Sequence, residues 1–300
     1  MGMIEQLKFR LRRGLGILDL EEKIDHLNHQ IQASIELLLD KEKRKLIQEF
    51  VSKSKPGSLL SCCINHVDLL APVEMLHLYP HCLQPRDEQK LNYLVETHCS
   101  DWLCAKLQPG DVVLDIGAAF GVITIPLSQA VGSEGHVYAF EPAIKTQKFL
   151  QQVIDLNKLK NVTLVHSAIS DKPGSAEFIE YTSENELSWA SDTSTLASDS
   201  NPHLENYLRY NVDVTTIDDY VMAAGIEPKA IKIDIEGFEL YALYGAKNTL
   251  DKFSPYLCID IHKDVKTGES AILGVEPYLV DKGYQIQVDG HTIYCTPKTT

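Results

Sequence analysis

The chain has 300 residues, 44% hydrophobic, 8% aromatic and 23% charged, enough for one large core with a small appendage. No stretch approaches the roughly 18 apolar residues that cross a bilayer, and Met1-Gly2-Met3-Ile4-Glu5-Gln6 lacks both a signal-peptide apolar region and a myristoylation pattern, so a cytoplasmic location is expected. Residues 58 to 300 hold 33 acidic against 17 basic residues; that balance repels phosphate backbones and speaks against a nucleic-acid partner.

The first 57 residues read as a helical appendage. Lys8, Arg10, Arg12 and Arg13 stand among Leu7, Phe9 and Leu11, so residues 7–13 offer a small basic patch for weak peripheral contact with a membrane surface. Leu20, Ile24, Leu27, Ile31 and Leu38 then fall on a heptad seam, and the expectation is a helix that either pairs into a homodimer through residues 20–39 or packs on its own domain. Pro56-Gly57 breaks the helical run that includes Lys41 to Lys55, which divides the chain into 1–57 and 58–300.

Five of the seven cysteines, Cys62, Cys63, Cys82, Cys99 and Cys104, lie with His66, His77, His81 and His98 in the next stretch. No Cys-x-x-Cys pair occurs and Pro80 spoils helical geometry between His77 and His81, so reduced thiols and no metal are expected there. From residue 112 the pattern alternates strand and helix, which signals a parallel sheet with crossover helices. Strands are predicted at 112–116, 136–140, 162–166, 230–235 and 256–261, and helices near 121–131, 143–157 and 237–251. Two last strands, 284–288 and 291–296, flank Asp289-Gly290, a two-residue hairpin turn. The expected fold is therefore α/β and Rossmann-like: a mostly parallel seven-stranded sheet closed by an antiparallel C-terminal hairpin. The polar segment Ser183 to Asn201, with Trp189 inside it, is too long for a connector and is expected to be a lid or an insertion.

Chemistry concentrates at the carboxyl ends of these strands. Val112 to Gly121 reads as strand, acid, glycine turn and helix; Gly117 and Gly121 let the backbone approach a ligand, although Ala119 replaces a second glycine of the full phosphate-binding fingerprint. Twenty residues on, Glu141 ends the strand Val137 to Phe140, where it can accept hydrogen bonds from both hydroxyls of a ribose. Asp115 at the first turn would repel a pyrophosphate and hold a cationic sulfonium or amino group, which favours S-adenosylmethionine over NAD. Asp171, after the third strand, suits an adenine amino group. In the strand reading, Lys232, Asp234 and Glu236 alternate onto one face, where three ionisable groups are costly to bury without work to do. His262 ends the next strand beside them and can take a hydroxyl proton.

With these residues in view the chain resembles the FkbM-type methyltransferases over about residues 90 to 262. The resemblance rests on Val113 to Ala118, Phe140-Glu141-Pro142, Ala168-Ile169-Ser170-Asp171, Thr215 to Tyr220, and Lys232-Ile233-Asp234-Ile235-Glu236-Gly237-Phe238-Glu239 followed by Gly245-Ala246. Phe120 is bulkier than the family's usual residue, and Asp260 stands where glutamate is more frequent. The resemblance implies the class I methyltransferase fold and transfer of a methyl group from S-adenosylmethionine to an acceptor oxygen, often a hydroxyl of a sugar, glycan or polyketide-type product. It implies cofactor contacts from Asp115, Gly117, Ala118, Phe120, Gly121, Glu141, Pro142, Ala168, Asp171 and Asp234, and acceptor chemistry at Lys232, Asp234, Glu236 and His262. A divalent metal on Asp234, Glu236 and His262 is a minor variant. An NAD-dependent oxidoreductase, and an assembly protein with a vestigial fold, are the competing readings.

Overall fold

Strand formation begins where β-branched and aliphatic residues cluster between turns. The computed structural model describes residues 42, 45–47, 49–77, 83–85, 91–181, 195–196 and 207–298. The chain divides into two units, Met1–Lys55 and Pro56–Thr300. In the first, residues 45–47 and 49–53 are helical; the basic patch at 7–13 and the heptad segment at 20–39 lie outside the described residues.

The second unit opens with the hairpin β1 (Leu59–Ile64) and β2 (Val67–Pro72), joined by Asn65 and His66, both left-handed with φ of 42° and 72°. Its sheet is completed by β3 (Leu83–Pro85) and β4 (Leu91–Tyr93) in the order β2-β1-β4-β3. The buried Asn65 amide donates to the carbonyls of Val95 and Val122 at 2.7 and 3.0 Å and accepts from the Val95 amide at 2.9 Å. One side chain thereby clamps the backbone leading into α1 (Thr97–Cys104). Cys62, Cys63 and Cys99 are buried; the Cys62 thiol donates to the Met75 sulfur at 3.8 Å, and the Cys99 sulfur lies 2.7 Å from that of Cys258.

The main sheet contains β5 (Val112–Ile116), β6 (His136–Phe140), β7 (Val162–Val165), β12 (Pro228–Ile233), β13 (Tyr256–Asp260), β14 (Tyr284–Asp289) and β15 (Thr292–Pro297). Their order is β14-β15-β13-β12-β5-β6-β7; all pairs are parallel except those made by β15. That is the class I methyltransferase sheet; its central strands are mostly apolar because both faces are covered, with Asp115, Lys232 and Asp260 the buried charged exceptions toward their carboxyl ends. Helices α2 (Thr124–Val131) and α3 (Ile144–Asn157) follow β5 and β6; α4 (Ile217–Ala224) precedes β12; α5 (Glu239–Tyr244) and α6 (Lys247–Phe253) follow it; and α7 (Ile272–Asp281) precedes β14. Leu114, Ile116, Phe140, Ile231, Ile233, Leu257 and Ile259 form the centre of the core.

A third sheet, with strand order β10-β9-β11-β8, comes from β8 (Ser167–Ile169), β9 (Gly174–Tyr181), β10 (Thr195–Leu196) and β11 (Tyr207–Thr215). Of the segment expected to be a lid, only Thr195 and Leu196 are described, as a short strand on β9; the rest of 183–201 lies outside the described residues.

Three sequence expectations need correction. The strand expected at 230–235 ends at Ile233: the Asp234 amide makes a last bond to the Ile116 carbonyl of β5 at 3.0 Å, and the chain then turns through left-handed Glu236 (φ 54°) and Gly237 (φ 100°). The single helix expected at 237–251 is two: Gly245 packs so closely that a Cβ there would lie 2.3 Å from the Ser170 carbonyl, and its own carbonyl accepts the Asp218 amide at 2.8 Å. The final hairpin turns on Gly290 and His291, since Asp289 still pairs with Thr292. Asp218 also caps α6: its carboxylate accepts the amides of Asn248 and Thr249, at 2.9 and 2.8 Å, and the Thr249 hydroxyl at 2.7 Å.

Candidate active site

The ends of β5, β6, β8, β12 and β13 converge on a cavity of about 190 Å³. Its floor is the turn after β5. Gly117 there has φ 78°, and a Cβ on it would sit 1.8 Å from the Asp234 carbonyl, so only glycine lets β5 and β12 close up at this point. The amides of Gly117 and Ala118 donate to the Phe140 carbonyl at 3.0 and 2.9 Å, tying the turn to β6.

Glu141 lines the cavity at the end of β6 and is 7% exposed. Its two oxygens accept the amides of Ala119 and Ala143 at 2.9 and 2.8 Å, which fixes the carboxylate beside a turn where Ala119 itself is left-handed (φ 45°). Burial pushes its carboxyl up to about 7 despite those two amides. Gly117, Ala118, Pro142 and Ala168 line the cavity with it, as do Ile169 and Phe178 on the side of β8.

Four of the residues expected to contact a cofactor do not line the cavity. Asp115 is fully buried: its Oδ2 accepts the Thr124 hydroxyl at 2.5 Å and its Oδ1 lies 3.9 Å from the Lys232 Nζ. Burial raises its pKa, opposed by Lys232 and Thr124. Phe120 is buried edge-on against Phe149, with ring centroids 5.8 Å apart. Gly121 faces Leu150. Asp171 accepts the Ser170 hydroxyl at 3.2 Å.

Lys232, Asp234 and Glu236 do not share a strand face, since β12 ends at Ile233. Lys232 is buried and donates to the Gly117 carbonyl at 2.8 Å and to Asp234 at 3.3 Å. Burial works against its charge, but Asp234, Asp115 and Glu96 overcome that and hold its pKa well above the ordinary value. Glu236 is placed instead by a left-handed backbone (φ 54°) followed by Gly237 (φ 100°), strain of the kind that re-aims side chains at functional sites.

His262 does lie beside them. Its Nε2 is 3.8 Å from both Asp234 Oδ1 and Glu236 Oε1, while Nδ1 lies 2.9 Å from Oε1 of Glu239, a carboxylate with no exposure that also accepts the Gly237 amide at 2.9 Å. Burial disfavours the imidazolium, but the bond to Glu239 and the charges of Glu236, Glu239 and Asp234 outweigh it and lift His262 to about 9. The ring therefore carries a proton at neutral pH. One ligand atom each from Asp234, Glu236 and His262 lies within 4.8 Å of the others, a spacing that can also take a divalent cation.

Sequence reasoning missed Glu96 and Asp260. Both line the cavity, and Asp260 accepts the Thr292 hydroxyl. Glu96 lies in a stretch without clear periodicity, and no local signal marks it; Asp260 was visible only as the family's glutamate position.

Residues 115–286, more than half of the chain, match the family model described as the methyltransferase FkbM domain. No curated protein matches. Among solved structures, the chain is similar to methyltransferase FkbM from Methylobacillus flagellatus KT, at 20% identity and a TM-score of 0.44, over 66% of this chain and 51% of that one. It thus spans about half the length of that protein. It is also similar to a SAM-dependent methyltransferase from Aquifex aeolicus (18% identity, 65% of this chain and 88% of that one, TM-score 0.39). A third similar structure is Aeropyrum pernix fibrillarin in complex with natively bound S-adenosyl-L-methionine (11% identity, 81% and 99%, TM-score 0.40).

Proposed function

Because the chain belongs to the FkbM methyltransferase family, we propose that it methylates a hydroxyl oxygen on a sugar, glycan or polyketide-type acceptor. Its methyl donor is S-adenosylmethionine, which supplies, when bound, an activated methyl group on a cationic sulfur. The observation that carries the reading is the polarity of one continuous cavity: Ala168, Ile169 and Phe178 form an apolar wall at one end, Glu141 is fixed at the β6 end, and carboxylates crowd the β12–β13 end. An adenosyl group, a ribose and a cationic tail match that sequence of surfaces, and no pyrophosphate does.

The protein's share of the work is positioning. Holding an acceptor oxygen about 3 Å from the methyl carbon accounts for much of the rate. Asp234 and Glu236 orient the acceptor, and His262 or Glu236 takes its proton. His262 is the candidate base whose state changes above pH 7. As base it must first be neutral, so turnover is expected to rise with pH toward about 9 and the rise to disappear in His262→Ala. A flat profile between pH 7 and 9, unchanged in the variant, would remove His262 from that role; if Glu236→Gln also kept full turnover, general-base catalysis here would be excluded. Resistance to EDTA would exclude a metal on the same three residues.

The cofactor is tested by titration calorimetry with S-adenosylmethionine and S-adenosylhomocysteine. Wild type is expected to bind in the micromolar range and Glu141→Gln at least about tenfold more weakly, since the variant keeps the shape but loses the charge that accepts two hydroxyl bonds. Absence of binding to wild type would favour the assembly reading.

A further inference from the structure

We propose that Glu96, which lies outside the matched family segment, holds the ammonium group at the amino-acid end of S-adenosylmethionine. This rests on the cofactor assignment above.

The cavity runs along the edge of the sheet in strand order. Apolar Ala168 and Ile169 lie at β8, Glu141 at β6, Gly117 at β5, Asp234 after β12 and Asp260 at the end of β13. With the ribose at Glu141, the remainder of the ligand has to cross Gly117 toward β12 and β13. Glu96 stands at that end: one carboxylate oxygen each of Glu96, Asp234 and Asp260 lies within 4.8 Å of the others.

Asp115, the residue expected to hold the ammonium, cannot reach it. It lies beneath the turn with no exposure, engaged by Thr124 and facing Lys232. Asp234 is bonded to the same lysine and Asp260 to Thr292. Glu96 begins α1 without capping it: the side chain makes no bond to the helix amides and lines the cavity instead. Its backbone is left-handed (φ 49°), an uncommon conformation for glutamate, and the Asn65 clamp on Val95 holds it there. The small sheet before α1 thus has a task in the site, since it carries the residue that turns Glu96 inward.

Charge balance points the same way. Glu96, Asp234 and Asp260 bring three carboxylates together, while the Lys232 ammonium is already shared by Asp234 and Asp115. A carboxylate so placed gains by accepting a cation, and a protonated amine on the ligand supplies one.

The test compares wild type and Glu96→Gln by calorimetry in EDTA against three ligands: S-adenosylmethionine, S-adenosylhomocysteine, which keeps the ammonium but lacks the sulfonium, and methylthioadenosine, which lacks the amino-acid tail. The expected result is a loss of about tenfold or more for the first two and less than twofold for methylthioadenosine, which also shows that the pocket is folded. Equal losses for all three would make Glu96 a shaper of the pocket and overturn the proposal. So would no change for any ligand, and so would a loss confined to S-adenosylmethionine, which would place the sulfonium there. If wild type binds none of them, the cofactor assignment fails and takes this inference with it.

Discussion

Lys232→Met is expected to cost about 3–5 kcal/mol of folding stability at pH 7, the range for stripping the partner from a buried charge. The lysine lies buried between Asp115 and Asp234 and is bonded to the Gly117 carbonyl; methionine fills the volume but leaves Asp115 without exposure and with only the Thr124 hydroxyl. The pH dependence has a definite sign. Asp115 already has a raised carboxyl pKa with the lysine present, and without it the value goes higher. A raised carboxyl penalises the fold above its ordinary pKa and is relieved as pH falls through the folded value, whereas the lysine is charged in both states across this range. Urea denaturation at pH 7 and pH 5 should therefore show a smaller loss at pH 5. A loss below about 1 kcal/mol at both would mean that Asp115 is already neutral in the wild type and that the pair is not ionic.

The second large effect is at Gly117. An alanine there meets two penalties together: a left-handed φ of 78° and a Cβ placed 1.8 Å from the Asp234 carbonyl. The contact is with backbone, so no rotamer change relieves it; β5 and β12 must separate or the turn must flip. Gly117→Ala is expected to lower stability by about 2–4 kcal/mol and to abolish S-adenosylmethionine binding in calorimetry, because Ala118, Ala119 and the Glu141 carboxylate are all registered on this turn. A variant with wild-type affinity and melting temperature would show that the turn is not the floor of the site.

The sheet was legible because its central strands are largely runs of β-branched and aliphatic residues between turns; 112–116 and 136–140 fall on the observed residues. What was hidden depends on partners far apart in the chain. Asp115 reads as a ligand-facing acid until Lys232, 117 positions away, is seen to cover it. Lys232, Asp234 and Glu236 read as a strand face until Glu236 and Gly237 turn left-handed and take the chain out of the sheet. Glu96 had no signal of its own: its direction is set by Asn65, whose side chain bonds Val95 from a different strand pair. Gly237 and Glu239 were visible as a motif, but their part in holding the Nδ1 side of His262 depends on β13 bringing the histidine beside them.

The cap on α6 has a further consequence. Helices that supply their own first-turn acceptor can fray and re-form independently, but the amides of Asn248 and Thr249 look to Asp218, in the first turn of α4, and the Asp218 amide looks back to Gly245. Each helix start leans on the other, although α4 also has a cap of its own, the Thr216 hydroxyl accepting the Asp219 amide at 3.0 Å. The Thr215 to Tyr220 motif and the Gly245-Ala246 pair are thus two halves of one cooperative opening unit, and its melting would expose both helix starts together while leaving the strands beneath them paired.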